Sequence, residues 1–120
     1  MILFSNFGLK LSKMELKNTF GETIKALREE RDLTLREVAS VLKIDISMLG
    51  KIEKNSRKPT KKFIESISGY YGVSEKDLTV AFLSDSVAAY IVDDREFIGE
   101  IFKVAEEKVE YLSKRQTPEK

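Results

Sequence analysis

With 120 residues, 42% of them apolar, the chain is long enough for one small domain and an appendage and can bury a core, which excludes global disorder. It has no cysteine and no histidine, so disulfides, zinc–thiolate sites and thiol chemistry are excluded, and the commonest general base and metal ligand are missing. Net charge is only +1, yet residues 1–73 carry 14 Lys/Arg against 9 Asp/Glu and residues 74–120 carry 7 against 11, a segregation that fits a nucleic-acid-binding module followed by something else.

No apolar run approaches the roughly 18 residues of a membrane span, so no membrane partner is expected. The opening MILFSNFGL lacks a preceding basic residue and a small-residue cleavage site, and makes a poor signal peptide. Residues 1–17 are expected to be a flexible segment. An arm that touches DNA through Lys10, Lys13 and Lys17 is the lesser alternative.

Thr19-x-x-Glu22 is a capping box that opens a helix over about Phe20–Arg31, with Ile24 and Leu27 facing inward and Phe20 nearby. Asp32-Leu33 links it to a second helix, which the capping box Thr34-x-x-Glu37 opens. Val38, Ala39, Val41 and Leu42 supply that helix with an apolar stripe. Lys43-Ile44-Asp45 is only long enough for a sharp turn, and Asp45 can cap a third helix, Ile46 to Lys54. On that helix Leu49 and Ile52 share one face, and Ile46, Ser47, Gly50, Lys51 and Lys54 share the other. Asn55 sits where a helix end favours a left-handed residue, and Lys54, Arg57 and Lys58 are then displayed on a turn.

A fourth helix follows Pro59, capped by Thr60 and running to Tyr71, with Phe63, Ile64, Ile67 and Tyr71 as core and Gly72 as the stop. Ser74 caps a fifth helix through Leu83, and Ser84 is read as restarting a helix that contains Val87, Ala88, Tyr90 and Ile91. Asp93-x-x-Glu96 is read as capping a last helix to about Leu112. Its stripe of Phe97, Ile98, Ile101, Phe102, Ala105 and Val109 is strongly amphipathic, and residues 115–120 form a polar tail.

The stretch from Thr34 to Thr60 resembles the helix-turn-helix of the phage-repressor-like (Xre/Cro type) DNA-binding family. The resemblance rests on Thr34, Glu37, Ala39, Leu42, Ile44, Leu49, Ile52, Glu53 and the run Arg57-Lys58-Pro59-Thr60, and extends from about Phe20 to Leu78, roughly half the chain. It implies an all-α fold: a five-helix, lambda-repressor-like DNA-binding domain over residues 18–79 and a C-terminal helical extension over 80–114. Met14 stands where members of the family begin. The resemblance further implies a cytoplasmic, prokaryotic transcriptional regulator.

An α-helix fits the major groove and its N-terminal residues reach base edges, so Ile46, Ser47, Gly50 and Lys51 are the candidate base contacts. Arg36, Lys54, Asn55, Arg57 and Lys58 are the candidate phosphate contacts. Many family members carry a phosphate-contacting glutamine where this chain has Leu35, and Arg36 is the expected substitute. The resemblance also implies that Arg28 pairs with Glu53. Modules of this kind work in pairs, so a homodimer is expected through the Phe97–Val109 stripe, reading an inverted-repeat site in double-stranded DNA.

The alternative is a protein-binding adaptor or antitoxin-type module whose C-terminal helices dock a protein partner, with DNA secondary. No catalytic residue, cofactor or metal is expected. There is no phosphate-cradling glycine loop and no nucleophile–base pair, and caps and the helix dipole account for the densest carboxylate group, Asp93, Asp94 and Glu96.

Overall fold

The structure, a computed structural model, describes residues 18–116. The expected flexible segment 1–17, its lysines and the tail beyond 116 lie outside the described residues. In chain order the elements are α1 (Phe20–Glu30), α2 (Leu35–Leu42), α3 (Ile46–Glu53), α4 (Lys61–Tyr71), α5 (Glu75–Ile91), a 3-10 segment (Val92–Phe97) and α6 (Ile98–Gln116). The described residues are all-α.

Two compact units divide the chain, one through Ser86 and the other from Val87 onward. In the first, Phe20, Ile24 and Leu27 of α1 meet Val38 and Ala39 of α2, Leu49 and Ile52 of α3, Phe63, Ile64, Ile67 and Tyr71 of α4, and Leu78 and Ala81 of α5 in one buried cluster. Burial of apolar side chains at about 1.5–3 kcal/mol each is what holds helices this short together. Leu33, Leu42 and Ile44 pack against its edge. Val41 does not join them: it is 52% exposed. At about 100° per residue the stripe centres between Ala39 and Leu42 and leaves Val41 outside it.

The helix starts follow from their caps. Thr19 and Glu22 close one reciprocal capping box, and Thr34 and Glu37 another. Thr60 Oγ1 accepts from Phe63 N–H at 3.0 Å, and Ser74 Oγ from Asp77 N–H at 3.1 Å. The ends of α1 to α4 share a second device. A residue with positive φ (Asp32, Lys43, Asn55, Gly72) turns the chain, and the next amide reaches back to the last turn. Leu33 N–H bonds Arg28 C=O, Ile44 bonds Ala39, Ser56 bonds Lys51 and Val73 bonds Ser68. These are Schellman closures, and only the last uses the glycine that such a φ favours.

Two boundaries differ from the sequence reading. Ser84 does not restart a helix: α5 runs unbroken for 17 residues, and the Ser84 hydroxyl donates back to Ala81 C=O. A serine inside a helix satisfies its hydroxyl on the preceding turn, so the cap signal there is spurious. Phe82 and Asp85 then still meet α1, which carries the first unit past residue 79 to Ser86. Asp93 and Glu96 do not cap the last helix either. Residues Val92–Phe97 form the 3-10 segment, with a non-helical Asp94, and α6 starts at Ile98 and runs to Gln116 rather than Leu112.

Candidate nucleic-acid interface

α2 and α3 are joined by a turn of three residues, with Lys43 in the left-handed region at φ 60°. Asp45 then stops the chain in extended geometry and accepts from Ser47 N–H at 3.1 Å, so α3 starts with its first turn capped. Leu49 and Ile52, both about fully buried, fix which face of α3 is inward. Ser47 and Lys51 are therefore exposed, Ile46 is 38% exposed and Gly50 is half-buried. All four candidate base-contacting residues lie on α3, away from its core face. A Cβ added at Gly50 would meet nothing within 4 Å.

Lys54 ends α3 and the chain turns at Asn55, φ 64°. Arg57 and Lys58 follow, both exposed. Arg36 is carried by a different element, exposed in the first turn of α2. The Asn55 side chain is already engaged. Its Oδ1 accepts from Gly21 N–H and its Nδ2 donates to Thr19 Oγ1, each at 2.9 Å. The amide thus fastens the end of α3 to the start of α1 before any ligand arrives.

Gly21 makes that junction possible. A Cβ there would sit 2.4 Å from Glu53 C=O and 2.7 Å from Ile52 C=O, distances no side chain tolerates. The other amides at this helix start are also used: Phe20 N–H donates to the Asp85 carboxylate from α5, Glu22 N–H to Thr19 Oγ1 and Thr23 N–H to Thr19 C=O. The roles of Gly21 and Asp85 are not legible in the sequence. A glycine in a first helical turn is a weak signal, and nothing local links Asp85 to a residue so far upstream.

Beneath α3, Arg28 and Glu53 form a buried bidentate pair, Nε to Oε2 at 2.8 Å and Nη2 to Oε1 at 3.0 Å. Nη1 donates to Leu33 C=O at 2.9 Å. One guanidinium therefore ties α1 to both the α1–α2 link and the end of α3. The bonds from Glu53 hold the Arg28 pKa above its ordinary value against the opposing effect of burial. Arg31 adds a second tie, donating to Tyr71 C=O at 2.7 Å while stacking 5.3 Å over the Tyr71 ring. Burial pushes the Tyr71 phenol well up, and its hydroxyl has no partner among the described residues.

The candidate dimer residues lie in the second unit. Phe97 ends the 3-10 segment, and Ile98, Ile101, Phe102, Ala105 and Val109 lie on α6. Phe97 and Phe102 are each 50% exposed and Val109 65%. An apolar groove within this unit runs between Tyr90 and Ile91 on one side and Phe97, Ile101, Val104 and Ala105 on the other. Among the described residues no three acidic side chains gather as a group that could hold a metal, and no helix is long and apolar enough to cross a membrane.

The family described as a helix-turn-helix domain matches residues 21–79. The chain is 30% identical over 69 residues to the HTH-type transcriptional regulator DdrOP3 of Deinococcus deserti, covering 56% of this chain and 54% of that protein. It is 28% identical over 98 residues to the immunity repressor protein of Bacillus phage phi105, covering 82% of this chain and 55% of that one. The match thus spans about half the length of each of these relatives. No solved structure matches.

Proposed function

Residues 21–79 belong to the phage-repressor-like helix-turn-helix family, and we propose on that basis that the protein is a sequence-specific DNA-binding transcriptional regulator acting in the cytoplasm. One observation carries the proposal. The core claims only one face of α3, and the face left outside presents Ile46, Ser47 and Lys51 just ahead of the basic run Lys54, Arg57 and Lys58. α3 is then the helix that enters the major groove. Lys51 reaches guanine O6 and N7, Ile46 meets a thymine methyl, and Gly50 permits close approach. Arg36, Lys54, Arg57 and Lys58 neutralise phosphates and set the register. Asn55 serves the same end by fixing the turn that displays them.

One recognition helix covers few base pairs, so the regulator works as a two-fold homodimer on an inverted repeat with half-sites about 34–36 Å apart, or a multiple of that. The apolar face of α6 supplies the self-complementary patch. Phe102 and Val109 on α6, and Phe97 just before it, are already partly covered, so a second copy that buries the rest recovers about 0.8–2 kcal/mol each.

Titration against DNA at several salt concentrations tests the reading. Arg57→Ala and Lys58→Ala should each weaken binding to every sequence alike and lower the slope of log K against log salt by about one. Lys51→Ala should weaken binding to the selected site only. Absence of any salt-dependent DNA binding would reject the proposal and favour the protein-docking reading of the same exposed α6 face.

A further inference from the structure

The start of α3 carries a hydrogen-bond arrangement that limits what its two polar residues can read. Ser47 Oγ donates to Asp45 Oδ2, and the Ser47 backbone N–H bonds the same oxygen at 3.1 Å. The hydroxyl proton is therefore spent within the chain, and what remains of Ser47 Oγ toward the outside is lone pairs. Asp45 is exposed, and those bonds, with smaller contributions from the Met48 N–H and the Lys51 charge, keep its carboxyl below the usual carboxylate range, so it stays ionised and can only accept. Its Oδ1 takes neither Ser47 bond. Both residues stand at the N-terminal end of α3, the end that reaches base edges if α3 enters the groove.

We propose that Asp45 and Ser47 form an acceptor-only reading edge that selects cytosine in the half-site, through its N4 amino group. This rests on the reading of α3 as the groove-entering helix. In the major groove cytosine offers the N4 amino donor. Thymine and guanine present acceptors there, and either would set lone pairs against the carboxylate. Adenine has an amino donor too, but its N7 acceptor lies beside it and repels a second acceptor. The negative charge sits among phosphates and so lowers affinity for sites without a matching donor, which sharpens choice by penalising the wrong partner. Lys51, one turn further along the same helix, is donor-only. The two ends of the reading face therefore ask for opposite chemistry, an amino group at one and guanine acceptors at the other.

Selection of bound sites from random duplex DNA, run with the full chain and with Asp45→Asn, tests this. Asparagine caps a helix as well as aspartate does, so the variant should keep its melting temperature. It pairs with adenine in bidentate fashion. We expect one column of the selected half-site to be cytosine for the wild type and to lose that preference in Asp45→Asn, toward adenine, with affinity for the cytosine site falling about tenfold. Ser47→Ala should keep the same base at that column with a weaker preference. If Asp45→Asn changes no column, or changes one where the wild type does not prefer cytosine, the proposal is wrong while the regulator reading stands. If the wild type enriches no sequence at all, the reading of α3 falls with it.

Discussion

Gly50 separates a residue tolerated by the fold from one required by the ligand. It lies inside α3, and a Cβ there would meet no atom of the protein within 4 Å. Replacing it with alanine should therefore stabilise the first unit by about 1 kcal/mol, the usual helical cost of glycine. In a domain of this size that is a rise of roughly 4–8 °C in melting temperature. Gly69 is the control. It too lies within a helix, α4, with nothing within 4 Å of its added Cβ, and it is not on the proposed reading face. Gly69→Ala should give a similar stability gain and leave DNA affinity alone. Gly50 shares a face with Ile46 and Ser47 one turn earlier. If the helix lies close against base edges there, an added methyl forces it back and loosens every base contact, for a loss of about tenfold, or 1.4 kcal/mol. Thermal melts and fluorescence titration on the selected site measure both quantities in the same samples. A Gly50→Ala variant that melts higher and binds as tightly as Gly69→Ala would refute close approach. The glycine would then be a residue the helix merely tolerates.

Other substitutions report on the scaffold. Gly21→Ala should destabilise the first unit by about 1–3 kcal/mol, read by denaturant titration, because its Cβ would press on two backbone carbonyls that cannot move independently. Arg28→Ala should cost about 3–5 kcal/mol by stranding the buried Glu53 carboxylate, and the double variant Arg28→Met with Glu53→Leu should recover most of that loss. Lys43→Gly should raise stability by about 1 kcal/mol, since lysine holds φ 60° at the turn between α2 and α3. Ile98→Glu with Phe102→Glu places charge on exposed positions of α6, so the chain should stay folded and sediment as a monomer; a wild type already monomeric at high concentration would remove the dimer from the proposal.

What could be read in the sequence was what chemistry keeps local. Thr19 with Glu22 and Thr34 with Glu37 each specify a helix start within four residues, and both boxes form with the expected bonds. Leu49 and Ile52 specify the inward face of α3, and that alone fixes which side Ser47 and Lys51 occupy. The misreadings arose where a local signal had two meanings. Ser84 suits a cap or a helix interior equally, and what decides is non-local: Ala81, Phe82 and Asp85, on either side of it, are held within the first unit by contacts with α1 and its core. Asp93 and Glu96 have capping spacing, but the chain there takes a 3-10 course with a break at Asp94. The links at Asp32-Leu33 and Lys43-Ile44-Asp45 are legible as short turns, but neither Asp32 nor Lys43 is a glycine, so nothing marks which position takes the left-handed φ.

The contacts that matter most to the proposed interface were the least visible, because they close over long sequence separation. The first turn of an isolated helix leaves its amides unpaired, and such a turn is an ordinary site for a phosphate. At α1 the chain has used them itself. Asp85 takes Phe20 N–H, Asn55 takes Gly21 N–H, and Thr19 takes those of Glu22 and Thr23. The start of α1 therefore has no such amide left for DNA, and its role is mechanical: it anchors the turn that carries Lys54, Arg57 and Lys58. Asn55 is both the expected left-handed helix end and a candidate phosphate contact. The same place makes it the residue able to bind two helices at once, its left-handed backbone closing α3 while its amide holds α1. If Lys54, Arg57 and Lys58 meet phosphates as proposed, fixing the backbone turn that carries them in advance removes entropy that binding would otherwise lose, and Asn55 would then contribute to affinity through its neighbours.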